Sequence, residues 1–166
     1  MKFYESGEYR ATKSWPYSIC AGGVVYRKTK DDYEVLLLKR SAGDFPQLID
    51  GHIDSYHLPK GYIGLNEKID EAAAREISEE AGCKVELKTY MGAKLHQYTD
   101  VGIKRDKIIH YFAGEWTDDI GDMDNEHSER IWVNLKEAIR LIGNANPKRE
   151  DIIIERLRQY LDLIDE

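Results

Sequence analysis

Hydrophobic and polar positions along the chain change period several times, and each change predicts an element. Residues 19–26, ICAGGVVY, form an apolar run with small residues at its centre. Such a run reads as a buried strand approached closely by another backbone. Residues 28–32 are polar and turn-like, and residues 33–40, YEVLLLKR, are apolar again, so the two runs predict a hairpin. A helical period begins at Asn66 or Glu67, runs to about Ala81 and stops at Gly82, a residue suited to the left-handed position after a helix. Residues 85–96 alternate as a strand, residues 98–106 read as a polar turn, and residues 107–116 form another strand. Residues 117–129 are a strongly acidic loop, 131–133 a short strand and 135–142 a short helix. Residues 149–164 predict a C-terminal helix with Ile152, Ile153, Leu157, Tyr160, Leu161 and Ile164 on one face.

Two stretches follow neither period. Residues 1–15 are polar and mixed, and read as a loose arm or a short edge strand. Residues 41–55 hold Gly43, Pro46 and Gly51 among several acids, and read as a long loop. Long loops in compact domains are often functional, and equally often solvated excursions. His52 and His57 near its end are weak evidence for a metal site. Strands, one charged helix, more strands and then helices predict an α/β sandwich with a mixed β-sheet rather than a repeating βαβ wheel.

Length and composition narrow this picture. A chain of 166 residues suggests a single domain over residues 1–166. With 42% hydrophobic and 33% charged residues it is expected to be an ordinary soluble protein, by default cytoplasmic. The net charge of -7 argues against a nucleic-acid polymer as partner, which needs a basic surface, but not against a phosphorylated small molecule bound through a divalent cation. No run approaches the ~20 apolar residues of a membrane span, and residues 1–15 lack the apolar core of a signal peptide. The two cysteines, Cys20 and Cys83, have no paired or zinc-like spacing and read as buried thiols. A monomer or a homodimer is expected.

The charged helix changes the reading from structure to chemistry. At about 100° per residue, Ile69, Ala73 and Ile77 make an apolar stripe. Glu76 and Glu80 fall on the same side, and Glu79 lies at the edge of the stripe. Unpaired carboxylates pointing toward a protein interior are costly. A solvated acidic face paired as Glu71–Arg75 explains Glu71, and does not explain the other three. Hard cations such as Mg²⁺ explain them, because they take several carboxylate oxygens together with phosphate oxygens. The preceding turn, Pro59-Lys60-Gly61, can bring backbone carbonyls toward such ions and a lysine toward a phosphate.

These residues resemble a known family. Gly61, five residues, Glu67, seven residues and then Arg75-Glu76-Ile77-Ser78-Glu79-Glu80-Ala81-Gly82-Cys83 are similar to the Nudix box, G-x5-E-x7-R-E-U-x-E-E-x-G-U, with every fixed position present and Cys83 in the last apolar slot. The resemblance implies a Nudix-type α/β/α sandwich. It implies hydrolysis of a nucleoside diphosphate linked to another group, by water attacking phosphorus, with Mg²⁺ or Mn²⁺ as cofactor. It assigns Glu76, Glu79, Glu80 and the Gly61 carbonyl to the metal, Arg75 to orienting the glutamates, and Glu67 to support. Family members take the proton from water with either a helix glutamate or an acid in a distal loop. Glu79 and Glu126 are the two expectations here, with Glu129 as the neighbour to test.

Lysine before the box glycine resembles the branch that hydrolyses diadenosine tetraphosphate, although Tyr56, Gly64 and Asn66 depart from it. A dinucleoside polyphosphate needs cations along its phosphates and an aromatic surface for a base. Lys60 and Lys104 are expected for the first, with Lys94, Arg105 and Lys107 as further sources. Tyr98 and Tyr111 are expected for the second, with His110. The alternatives are a pyrophosphatase for (deoxy)nucleoside triphosphates or ADP-ribose, and a non-catalytic nucleotide-sensing module.

Overall fold

One strand organises the sheet. In a computed structural model describing residues 2–44, 53–124, 127, 129–143 and 148–166, β1 (Tyr17–Lys28) has seven consecutive residues buried because both of its faces are covered. Along one edge it runs parallel to β6 (Ile103–Asp119), from Tyr17 opposite Asp106 to Tyr26 opposite Glu115. Along the other edge it has two partners in succession. Residues 20–22 pair with β4 (Lys60–Tyr62), and residues 26–28 pair with β2 (Tyr33–Arg40), both antiparallel. β2 then leaves β1 and pairs with β3 (Ser55–His57) on the same edge, and with β7 (Glu129–Asn134) on the other. β5 (Cys83–Asp100) closes the far side against β6. The described residues thus form a seven-stranded mixed sheet, and the segment from β3 to β4 splits the β1–β2 hairpin like a wedge.

Strand periodicity sends alternate side chains to opposite faces. Cys20, Val24 and Tyr26 of β1, Val35 and Leu37 of β2, and Ile109 and Tyr111 of β6 pack under α2 (Leu135–Gly143) and α3 (Glu150–Ile164). Ala21 and Val25 of β1, and Leu36 and Leu38 of β2, pack on the opposite face around α1 (Ile69–Ala81). The result is the expected α/β/α sandwich. The wedge is held from both sides: the Leu58 N–H donates to Glu150 Oε2 at 3.0 Å, and the Pro59 carbonyl accepts the Gly23 N–H at 3.1 Å.

Four expectations need correction. Residues 98–106 are not a loose turn. β5 and β6 continue as a ribbon to a two-residue turn at Val101 and Gly102, with φ of 48° and 75°, a left-handed pair matching the twist of the flanking strands. Residues 2–15 are not loose either. The Tyr9 N–H donates to the Ile63 carbonyl at 2.8 Å, the Leu65 N–H to the Gly7 carbonyl at 3.0 Å, and Ala11 is buried against Ser18. The buried face of α3 is Glu150, Ile153, Ile154, Leu157 and Leu161, whereas Ile164 is exposed. The helix is therefore rotated from the predicted face, with Glu150 turned inward. Ile69, expected in the α1 stripe, is also exposed, and Ala72 takes its place in the core.

The C-terminus of α1 is built from backbone. Gly82 has φ 66°, and its N–H returns to the Ser78 carbonyl. A Cβ on Gly82 would meet the Gly121 carbonyl oxygen at 2.3 Å. Gly82→Ala is expected to lower unfolding free energy by roughly 1–3 kcal/mol, read from the urea midpoint at unchanged m-value.

Candidate active site

The site forms where α1 crosses β4. The wedge places Lys60 and Gly61 beside the second and third turns of the helix, and the helix directs two glutamates at that strand. The Glu80 carboxylate accepts the Lys60 N–H, and Glu80 is only 7% exposed. Glu76 lies directly over Gly61, where a Cβ would sit 1.9 Å from Oε2. Any larger residue would push the carboxylate aside, so glycine lets Glu76 lie against β4. Glu79, one helical step from Glu76, is exposed.

Arg75 gathers the remaining acids. Its guanidinium donates to Glu67 at 2.6 and 2.9 Å, to Glu76 at 2.7 Å, to Glu79 at 3.1 Å and to the Tyr62 carbonyl at 3.0 Å. Glu67 in turn accepts the Gly64 N–H at 2.9 Å, which fixes the turn leading into α1. The Arg75 guanidinium holds the Glu67 carboxyl below its ordinary pKa. Glu76 differs: burial pushes its pKa up, and Arg75 only partly opposes this. A carboxylate that burial makes reluctant to ionise, beside a second buried carboxylate and the Gly61 backbone, is a donor set that fits a hard divalent cation. Glu76, half-buried, and Glu80, buried, are the acids of that set, and exposed Glu79 stands one helical turn from Glu76.

A basic and aromatic surface adjoins this edge, on the sheet face opposite α1. Lys107 Nζ lies 5.1 Å from the Tyr62 ring centroid and 5.3 Å from that of Tyr98. Arg10 covers Tyr62 at 4.5 Å, and His96 stacks on Tyr98 at 5.3 Å. Burial and the charges of Lys148, Lys107 and Lys60 push the His96 pKa down to about 4. Burial, with Lys60 as the largest charge contribution, pushes Lys148 down to about 8. Lysines gathered this way repel one another, and an anion would relieve the repulsion.

Of the residues expected to meet substrate, Lys60 and Tyr98 lie in this region. Lys104 does not: it stands three residues from Lys107 along β6, hence on the opposite face. Tyr111 is corrected outright. It is fully buried, with its hydroxyl on Glu150 at 3.2 Å, so its ring is core and offers no surface to a base. His110 bonds the Tyr90 hydroxyl at 2.8 Å on the α1 side of the sheet. Glu126, Pro46, Gly51 and His52 lie outside the described residues. Glu129 is exposed at the start of β7 and pairs with Lys39 at 3.3 Å. His57 is buried, 2.8 Å from Ser55 Oγ. Asp124 and His127 beside Glu80 were not foreseen. The spacing of three between them was the available signal, hidden among the acids of residues 117–129.

The model of the NUDIX domain matches residues 16–155. The chain belongs to the NUDIX domain family. It is 27% identical over 108 residues to a Mycobacterium tuberculosis protein named MutT4, an alignment covering 62% of this chain and 44% of that one, so the chain spans less than half the length of that relative. Among solved structures, a MutT protein from Methanosarcina mazei Go1 superposes with a TM-score of 0.65 at 23% identity, over 88% of this chain and 96% of the other. A Caenorhabditis elegans Ap4A hydrolase in a binary complex gives 0.57 at 23% identity, over 87% and 98%. At these identities the structural likeness establishes the NUDIX fold.

Glu67 supplies a test of the acid network. Because its folded pKa lies below its ordinary value, its stabilising contribution is full above about pH 4.5 and fades as pH falls through the lower folded value. Glu67→Gln is expected to melt below the wild type at neutral pH, with the gap closing toward acid, read as Tm against pH.

Proposed function

We propose that this protein is a divalent-metal-dependent pyrophosphohydrolase that cleaves a nucleoside diphosphate linked to a further group, and that dinucleoside polyphosphates such as diadenosine tetraphosphate are its best substrates. The observation that carries this reading is the meeting of Glu76 and Glu80 with the Lys60–Gly61 strand, beside a surface of lysines and tyrosines. A bound Mg²⁺ or Mn²⁺ polarises phosphoryl oxygens and lowers the pKa of a coordinated water. Glu76, Glu79, Glu80 and the Gly61 carbonyl hold it. Arg75 keeps Glu76 and Glu79 side by side when their charges would push them apart. Lys60 reaches the phosphates, and Lys107 extends the positive track between Tyr62 and Tyr98. These two rings, with His96, offer a stacking surface for a base. Glu79, exposed and adjacent to Glu76, takes the proton from the attacking water, and Glu126 is the second candidate for that step.

A second reading, hydrolysis of (deoxy)nucleoside triphosphates, uses the same acids and Lys60 on a smaller substrate. Product identity separates the two: diadenosine tetraphosphate cut asymmetrically yields ATP and AMP, whereas a triphosphate yields a monophosphate and pyrophosphate.

The test is a Mg²⁺ assay over dinucleoside polyphosphates, triphosphates, nucleotide sugars and ADP-ribose. The highest kcat/KM is expected for a dinucleoside polyphosphate, and Glu80→Gln is expected to lower kcat by ~100-fold or more with an unchanged far-UV spectrum. An active Glu80→Gln variant overturns the metal assignment. Tight nucleotide binding without turnover in either metal would instead make the protein a sensing module.

The lysines are separable by face. Lys107→Ala is expected to raise KM for a dinucleoside polyphosphate by about tenfold, the loss of one charge-assisted phosphate contact. Lys104→Ala should leave KM within about twofold, as is usual for a solvated lysine. Steady-state kinetics on both variants checks the contrast.

A further inference from the structure

The N-terminal arm delivers a cation to the basic face of the sheet. Residues 7–11 lie along the turn that leads into α1. The Tyr9 N–H donates to the Ile63 carbonyl at 2.8 Å, the Ile19 N–H to the Tyr9 carbonyl at 2.9 Å, and the Leu65 N–H to the Gly7 carbonyl at 3.0 Å. Successive side chains of an extended segment point to opposite faces. Tyr9 packs on the α1 side against Ala21, Ile63, Ala72 and Ala73. Arg10 therefore emerges on the other face, where its guanidinium carbon stands 4.5 Å from the Tyr62 ring centroid. Lys107 Nζ stands 5.1 Å from the same centroid. One ring thus carries two cations, one from the arm and one from β6.

Holding the arm in place does not explain this pair. The arm is already fixed by those main-chain bonds and by the Ala11 N–H on Ser18 Oγ at 2.9 Å. Its own rings pack as well, Phe3 on Trp15 at 4.7 Å and Tyr4 on Tyr9 at 5.1 Å. A second cation on one ring adds repulsion to the attraction that the first gains. Acids do not relieve it. The chain has 31 acids against 24 lysines and arginines, and its arginines are mostly held in ion pairs. Arg27 meets Glu34 at 2.8 Å, Arg105 meets Asp100 at 3.4 Å and Arg130 meets Asp119 at 3.1 Å. Among the described residues Arg10 and Lys107 make no ion pair, and Glu8 acts on Arg10 only from a distance. Two cations left together without an acid, in so acidic a chain, suit an anion that arrives with its own charge.

Their place along β4 says which part of the anion they meet. Lys60 lies at the metal edge, where Glu80 accepts its N–H and Glu76 covers Gly61. Tyr62 follows on the same face of the strand, two residues and roughly 7 Å away. Phosphates at the metal edge are met by Lys60, and a longer chain runs on past Tyr62.

We infer, on the pyrophosphohydrolase reading of the metal edge, that the N-terminal arm is part of the substrate site, and that Arg10 and Lys107 together grip a phosphate beyond those held at that edge. Arg10 is then a determinant of phosphate-chain length: it favours substrates with a long polyphosphate over those with a diphosphate alone.

The test is calorimetric titration of the metal-stripped full chain, at low salt, with inorganic tripolyphosphate and separately with pyrophosphate. Wild type is expected to bind tripolyphosphate more tightly. Arg10→Ala should weaken tripolyphosphate by about tenfold, the loss of one charge-assisted contact, and pyrophosphate by less than about twofold. Arg10→Glu should weaken tripolyphosphate further, and a melting curve shows that each variant is folded. An arm that had only lost its packing would weaken both anions alike. The grip is overturned if wild type does not prefer tripolyphosphate, if Arg10→Ala leaves that isotherm unchanged, or if the two affinities fall together. Because neither metal nor turnover is involved, failure here leaves the hydrolase reading standing, and absence of turnover in the activity assay leaves the measured grip standing.

Discussion

Like charge is the constraint on which the rest of the structure depends. Glu76, Glu79 and Glu80 occupy one stretch of one helix, and two of them are turned toward the protein. Carboxylates in that position repel each other and lose hydration on burial. Arg75 meets this cost for Glu67, Glu76 and Glu79, and it also reaches the Tyr62 carbonyl. A planar guanidinium with several fixed donors can serve acids in different directions, which an ammonium cannot do with the same geometry. Glu80 is satisfied separately, by the backbone of β4. The acids of the box therefore have two supports, one from the helix and one from the strand, and this explains why loop, helix and strand occur as one continuous block of sequence.

The wedge between β1 and β2 makes the second support available. A simple hairpin would pair these strands throughout and leave no edge beside α1. Residues 55–62 instead take one edge from each strand, so that β4 presents its N–H groups and carbonyls to the helix. Leu58 and Pro59 at the crossing point are fixed from opposite sides, one by Glu150 of α3 and one by β1. The edge that carries Lys60 and Gly61 is therefore coupled to the far helical layer through the buried Glu150 carboxylate, and α3 helps to place that edge.

Much of this was legible in the sequence, for identifiable reasons. The apolar runs of β1 and β2 and the period of α1 reflect burial, and burial leaves a strong signal. Gly61, Glu76 and Glu80 meet because they stand within one local segment whose spacing determines their directions. What the sequence did not disclose depended on distance along the chain. Tyr111 carries no mark that distinguishes a core tyrosine from one lining a pocket; only the approach of Glu150 from α3, 39 residues later, decides it. The β5–β6 ribbon beyond residue 98 is half-buried on the face of Tyr98, Ile103 and Arg105 and exposed at Thr99 and Lys104, so few apolar residues mark the alternation where the strands in fact continue. Residues 2–15 looked loose because their ties to residues 63–65 are backbone hydrogen bonds, which composition does not report.

The end of α1 has one further consequence. Ile120 and Gly121 donate to the Gly82 carbonyl, Asp124 donates to the Glu80 carbonyl, and Arg130 of β7 donates to the Ala81 carbonyl at 2.7 Å. The helix finishes in a row of main-chain oxygens, and the chain that follows β6 is laid out along them. Three of these four contacts use peptide N–H groups, which every residue but proline can supply, and the fourth uses the Arg130 guanidinium. Exchange of the side chains at 120, 121 and 124 therefore leaves the path past the end of α1 in place, whereas loss of Arg130 removes one of its ties.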